Sequence, residues 1–443
     1  MPTAYAFPGL RGTGDFVDGQ RPKNWRETIL RLFPAGDASV TALSSLMKNE
    51  ATNDPEFNWF TKVLPQQKAT IVGIFTDAAG TAAYVSGAAL GATLYVAVED
   101  SASNGSREFR IGHQVVFRND DDSRLDCNGK VIGITDNGAN LLIAVKLLEA
   151  DDNAPAAAPV TAKTLADADE IVINGNINSE GGLIPDVVSY DPVKLYNYTQ
   201  IFRTPLEITR TAKKTKLRTG EAYAEAKMEA LELHGIEMEK AFLWGIRTET
   251  VGSNGKPERT TMGLAQFIRT YAPTNVSDFR QTAAYAGDSW ATSGKIWLDS
   301  MLEILFRYGG DKRLCLCGSG ALLGIQKLAE ENSQIFLEPN AKLFGLAVVR
   351  LITPFGEILL KRHPLFSHDA TSRNAMMILE PKNMKFRPLD DTEFKNDPGL
   401  KQAGQLARDG IKEEYITEAG FELHHAETFM YLNGVGQANG LTP

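Results

Sequence analysis

The run TQIFRTPLEITRTAKKTKLRTGEAYAEAKMEALELHGIEMEKAFLWG, residues 199–245, decides how this chain is read. In its first part Ile201, Phe202, Leu206, Ile208 and Leu217 stand among threonines, the composition of extended chain. From near Thr219 the pattern changes. Ala224, Met228, Leu231, Gly235, Met238 and Phe242 recur at alternating steps of four and three, which lines one face of a helix. Glu225, Glu229, Glu232 and Glu239 fall on other faces, and no proline interrupts. At 1.5 Å per residue such a helix is roughly 40 Å long. A long helix fed by an extended hairpin suits a protein that packs against copies of itself.

The bulk composition narrows the classes. The chain has 443 residues, 43% hydrophobic and 23% charged, which implies two or three globular domains. Its net charge of −9 argues against a free-standing nucleic-acid binder, whose affinity comes from cations meeting phosphates. It does not argue against a protein that merely encloses DNA. Three cysteines, Cys127, Cys315 and Cys317, make no disulfide framework and fit a reducing compartment. The first residues, MPTAYAFPGLRGTGDFVDGQRPKNW, lack the apolar core of a signal peptide. No apolar run reaches bilayer-spanning length. A soluble protein, intracellular when made, is expected.

Outward from the central run the texture varies. Residues 1–70 read as an irregular arm, with short helices expected over 25–33 and 41–48. Phe57, Trp59 and Phe60 sit in this arm, where few local partners exist, so a neighbouring subunit is expected to cover them. Between residues 76 and 169, turn clusters separate strand candidates at 93–98, 108–118, 130–135 and 141–148. Asp136-Asn137-Gly138 is a hairpin signal. This region reads as an inserted all-β domain with a flexible exit over 151–160. Beyond the long helix, a helix is expected over 293–308, a strand over 312–317 and a helix over 321–331. Strands follow at 346–352, 356–361 and 376–379, with an amphipathic strand pair within 413–429.

Several motifs suggest chemistry and fall short of it. Gly318-Ser319-Gly320 with Gly324 follows a strand and opens a helix, but the spacing is neither GxGxxG nor a P-loop. Glycines also serve tight strand-to-helix turns. Cys315 and Cys317 point the same way along a strand, yet a metal site needs two more ligands. His424 and His425 are adjacent, which on a strand spoils shared ligation. His363 and His368 read as polar loop residues. Asp120, Asp121 and Asp122 lack the alternating ligands of an EF-hand. Arg210, Lys213, Lys214, Lys216 and Arg218 form the densest basic run, suited to an acidic surface of a neighbouring subunit, to DNA, or simply to a solvated edge. No catalytic constellation appears, and no catalytic, cofactor or metal residue is assigned.

The order of elements resembles the major capsid proteins of tailed bacteriophages, the Hong Kong 97 fold. The resemblance is carried by residues 197–245 and by NEATNDPEFNWFTKVL, residues 49–64. It implies an α+β chain with an N-arm over 1–75, the inserted β domain over 76–169 and an extended loop over 170–218. A peripheral domain with its spine helix would span 219–292, an axial domain 293–380, and a C-terminal return 381–443. It implies an icosahedral shell of hexamers and pentamers enclosing double-stranded DNA, assembled in the host cytoplasm. Portal protein and a separate scaffold would be partners, with room for a decoration protein and none for a membrane. The β insertion would face outward. The subunit-interface candidates are Phe57, Trp59, Phe60, Arg210, Lys213, Lys214, Lys216, Arg218, Glu225, Glu229 and Glu232. Some relatives crosslink a loop lysine to an asparagine, but no Asn partner is identifiable here. An encapsulin-like compartment shares the fold and is the alternative; a nucleotide-binding enzyme is a third reading.

Overall fold

The computed structural model describes residues 48–62, 65–100, 106–121, 125–138, 140–151, 164–181, 184–215, 221–331, 336–343, 346–397 and 410–442. The chain divides into two compact units, Phe60–Val193 and the combination of Met1–Trp59 with Lys194–Pro443.

Phe60–Val193 is built on a closed six-stranded barrel. Its strands are Lys68–Phe75, Thr93–Glu99, His113–Arg118, Asp126–Asp136, Asn140–Leu147 and Glu170–Asn176. Alternation sends Val96, Val98, Val115, Phe117, Val131, Ile143, Val145 and Ile171 inward, where all are buried. Gly129 permits the closure: a Cβ there would lie 2.3 Å from Val145 Cγ1. The hairpin at Asp136-Asn137-Gly138 forms as expected, with Gly138 at φ +88 and its N–H donating to Asp136 Oδ1 at 2.8 Å. The insertion is wider than residues 76–169. Its first and last strands, Lys68–Phe75 and Glu170–Asn176, lie outside those limits and pair with each other, Ala69 opposite Ile171. A barrel closes only when its terminal strands meet, and the compositional break does not mark them. The expected linker lies largely outside the described residues, but Asp151 at its start is held by the Tyr84 hydroxyl at 2.5 Å.

In the other unit the strand that reaches Trp59 pairs with the strand that continues from Lys194. A four-stranded sheet runs in the order Lys48–Asn49, Met384–Asp397, Gly410–Leu423, Gln200–Thr209. The long helix, Ala222–Trp244, lies on one face of it. Phe202, Thr204 and Leu206 alternate inward to meet it while Ile201, Arg203, Pro205 and Glu207 point out. The Phe202 and Phe242 rings pack edge-on at 5.8 Å, and Leu206 packs with Ala230 and Tyr415. A second, seven-stranded sheet is centred on Met376–Leu379, Lys312–Cys317 and Gly356–Arg362. Helices Trp290–Phe306 and Ser319–Glu331 cover one face over Cys315, Cys317, Ile358 and Met376. Leu316, Met377 and Tyr431 on the other face join the core of Leu264–Tyr271 and the end of the long helix.

Several expectations are corrected. Among the described residues of 170–218 there is no free extended hairpin. Gln200–Thr209 is paired along its length with Gly410–Leu423, and the chain then turns into a short helix, Arg210–Lys214, capped by the Thr209 hydroxyl at 3.2 Å. The expected strand pair within 413–429 is replaced by long-range pairing of Met384–Asp397 with Gly410–Leu423. Lys48, the last residue of the helix expected over 41–48, is in a strand, whereas the rest of that helix and the one expected over 25–33 lie outside the described residues. The glycines after Cys317 are packing glycines. A Cβ on Gly318 would lie 2.2 Å from the Arg373 carbonyl, and one on Gly324 2.5 Å from Gly436. The N–H groups of Gly320 and Ala321 donate to that carbonyl at 3.0 and 3.2 Å, so the helix start is occupied.

Candidate subunit interface

The expected interface residues separate into covered and exposed sets. Phe57 and Trp59 are each 6% exposed and belong to the core with Phe421 and Leu195. Their own subunit covers them, because Glu56–Thr61 alternates and turns both inward. The reason offered for a role at a neighbour therefore holds for Phe60 alone, at 68% exposed. Arg210, Lys213 and Lys214 lie on the short helix, with Lys213 Nζ over the Tyr223 ring at 4.4 Å. Tyr223 in turn donates to Glu413 at 2.6 Å, which pushes its hydroxyl up to about 12. Lys216 and Arg218 lie outside the described residues. Glu229 and Glu232 are on the open side of the long helix and Glu225 is half-buried. Arg210, Glu225, Glu229 and Glu232 also take part in interactions within the chain.

The long helix buries the C-terminal end of the line its periodicity marked, at Phe242, but in its first half a different line. Ala230, His234 and Phe242 face the sheet, with Ala226 and Met238 partly covered. His234 lies 3.0 Å from the Thr204 hydroxyl and 2.7 Å from that of Thr417, and burial holds its pKa below the ordinary value. The sheet offers hydroxyls at this depth, so the helix turns a histidine toward them. Met228 and Leu231, at 57% and 48% exposed, consequently face out beside exposed Ala224.

The N-terminal segment is anchored by a charged network that no local motif announces. Lys48–Asn49 runs parallel to the strand from Met384, and the N–H of Glu50 donates to Phe386 at 2.9 Å. The Glu50 carboxylate meets Lys385 at 3.0 Å and Arg387 at 3.1 Å. Arg387 also grips Glu422, whose other oxygen lies 2.6 Å from His424 Nε2. Burial pushes the Glu422 carboxyl up, but His424, Arg387 and Lys385 outweigh it and bring it to about 2. His363, expected in an exposed loop, is buried 3.2 Å from buried Glu239. The thiols of Cys315 and Cys317 are enclosed in the core, and burial pushes that of Cys315 up.

A cavity of about 710 Å³ opens at the end of the long helix, between Lys240, Trp244, Arg280, Leu365, Asp369 and Tyr431. The described residues hold no group of three metal-ligating side chains and no helix long and apolar enough to cross a membrane.

A curated major capsid protein of Pseudomonas phage PaMx41 is 23% identical over 378 residues, covering 84% of this chain and 80% of that protein. A structure from Mycobacterium phage Bobi aligns with a TM-score of 0.44 at 8% identity, covering 95% of this chain and 98% of that one. The capsid of an empty GTA particle aligns at 0.43 and 9% identity, covering 93% and 94%. The family model of the SU10 major capsid protein matches residues 12–436, and the chain belongs to that family: it is a phage major capsid protein, a subunit of the capsid shell.

Proposed function

We propose that the shell is built from hexamers and pentamers of this chain, joined through Phe60, the basic run and the outer side of the long helix. The outward apolar stripe of Ala224, Met228 and Leu231 carries this reading. Apolar surface set among carboxylates on a rigid helix marks a contact with another protein. Arg210, Lys213 and Lys214, with Lys216 and Arg218 in the same run, supply the opposite charge to Glu225, Glu229 and Glu232 of a neighbour. Each exposed ion pair contributes only about 0–1 kcal/mol; many together set register and partner choice. Double-stranded DNA is enclosed without sequence-specific binding, a reading supported by the net charge of −9. Assembly takes place in the host cytoplasm with a portal protein and a separate scaffold, and the barrel faces outward, open to a decoration protein. Electron microscopy of K213E/K214E particles tests the contact. Empty shells are expected to fail. Normal empty shells, with failure only of DNA-filled particles, would make the run a DNA contact instead.

A further inference from the structure

After its barrel the Phe60–Val193 unit ends in an irregular acidic strap. Residues 184–192 form neither helix nor strand. Ile184 is 93% exposed and Val187 86%. The strap carries Asp186 and Asp191, and it has no lysine or arginine. Its course is tied down from within the unit: Arg110 Nη1 donates to the Asp186 carbonyl at 2.7 Å. Two large aliphatic side chains are thus held out to water on a positioned backbone, which is favourable only when something covers them.

The cavity at the end of the long helix has the complementary character. Trp244, Leu365 and Tyr431 line it with apolar surface, and Lys240 and Arg280 bring positive charge. Its one lining carboxylate, Asp369, already accepts from the Thr371 hydroxyl at 2.6 Å and the Ser372 hydroxyl at 3.1 Å. Arg280 is steadied by Asp278 at 2.7 Å, and Lys240 is exposed.

We propose that the strap of one copy docks in this cavity of a second copy. Ile184 and Val187 lie against Trp244 and Leu365, and Asp186 and Asp191 face Lys240 and Arg280. The pairing rests on the shell reading, because a shell sets identical copies side by side and presents the strap at high effective concentration. It adds the two surfaces that meet.

The test is a disulfide between D186C and K240C in the full chain, formed in assembled particles. The native thiols Cys127, Cys315 and Cys317 are all buried, so the background is low. Oxidised double-variant particles are expected to give a ladder of covalent multimers on a non-reducing gel, and each single variant only monomer. Intact particles yielding only monomer overturn the proposal, as does a faster-running monomer, which would be a contact within one chain. Absence of particles from the unsubstituted chain counts against the shell reading instead. If the double variant alone does not assemble, charge exchange decides: K240E is expected to abolish particles and added D186K to restore them, and no restoration overturns the proposal.

Discussion

Trp59 and Phe60 are adjacent in sequence, and a strand sends them to opposite sides. Trp59 packs in its own subunit's core, 6.0 Å from Phe57 and 6.2 Å from His424 between ring centres. Trp59→Ala is therefore expected to lower subunit stability by about 3–5 kcal/mol, read as an earlier urea midpoint. Phe60→Ala should stay within about 0.5 kcal/mol and lower shell yield. Equal loss of stability in both variants would show that Phe60 is covered as well. Glu422 gives the pH dependence. Its folded carboxyl is brought down to about 2, below an unfolded value of about 4.3. Its stabilisation is complete above that unfolded value and is lost as pH falls through the range toward 2. Glu422→Gln should cost about 3 kcal/mol at neutral pH, because Arg387 keeps its burial and loses the more buried of its two carboxylates. The variant should also flatten the acid limb of a denaturation series. An unchanged acid limb would mean that other carboxylates set it.

At the scale of elements, the long helix shows how a periodic pattern gives existence but not orientation. The spacing marked Met228 and Leu231 for the dry side, and the sheet instead meets Ala230 and His234, whose ring Thr204 and Thr417 contact. Met228→Ser with Leu231→Ser should leave subunit unfolding within about 0.5 kcal/mol per site and suppress assembly in light scattering. A large fall in subunit stability would mean that the stripe is internal. Because burial lowers the pKa of His234, it folds as the neutral ring. Its contribution is present above the unfolded value near 6.5 and declines as pH falls below it.

At the scale of the whole molecule, the barrel has its own core and no free edges. The fragment 60–193 is expected to fold alone, giving a β-type circular dichroism spectrum and a cooperative melt. Gly129→Ala should destabilise that fragment by about 1–3 kcal/mol, the range for overpacking, since the new methyl meets Val145. A fragment without cooperative melting would tie the barrel to the rest of the chain.

The sequence by itself determined that a long helix exists near residue 222, that a β insertion precedes it, and that buried strands surround Cys315 and Met376. Each of these is written in local periodicity, which depends on residues a few positions apart. It also carried the family resemblance, because that rests on the order of such elements. Tertiary structure decided the rest. The barrel's terminal strands, the pairing of Gln200–Thr209 with Gly410–Leu423, and the Glu50–Arg387 ion pair join residues separated by 100 positions or more. No short-range pattern specifies which partner a strand or a charge finds. Which face of the long helix is dry was settled in the same way, by the hydroxyls waiting on the sheet.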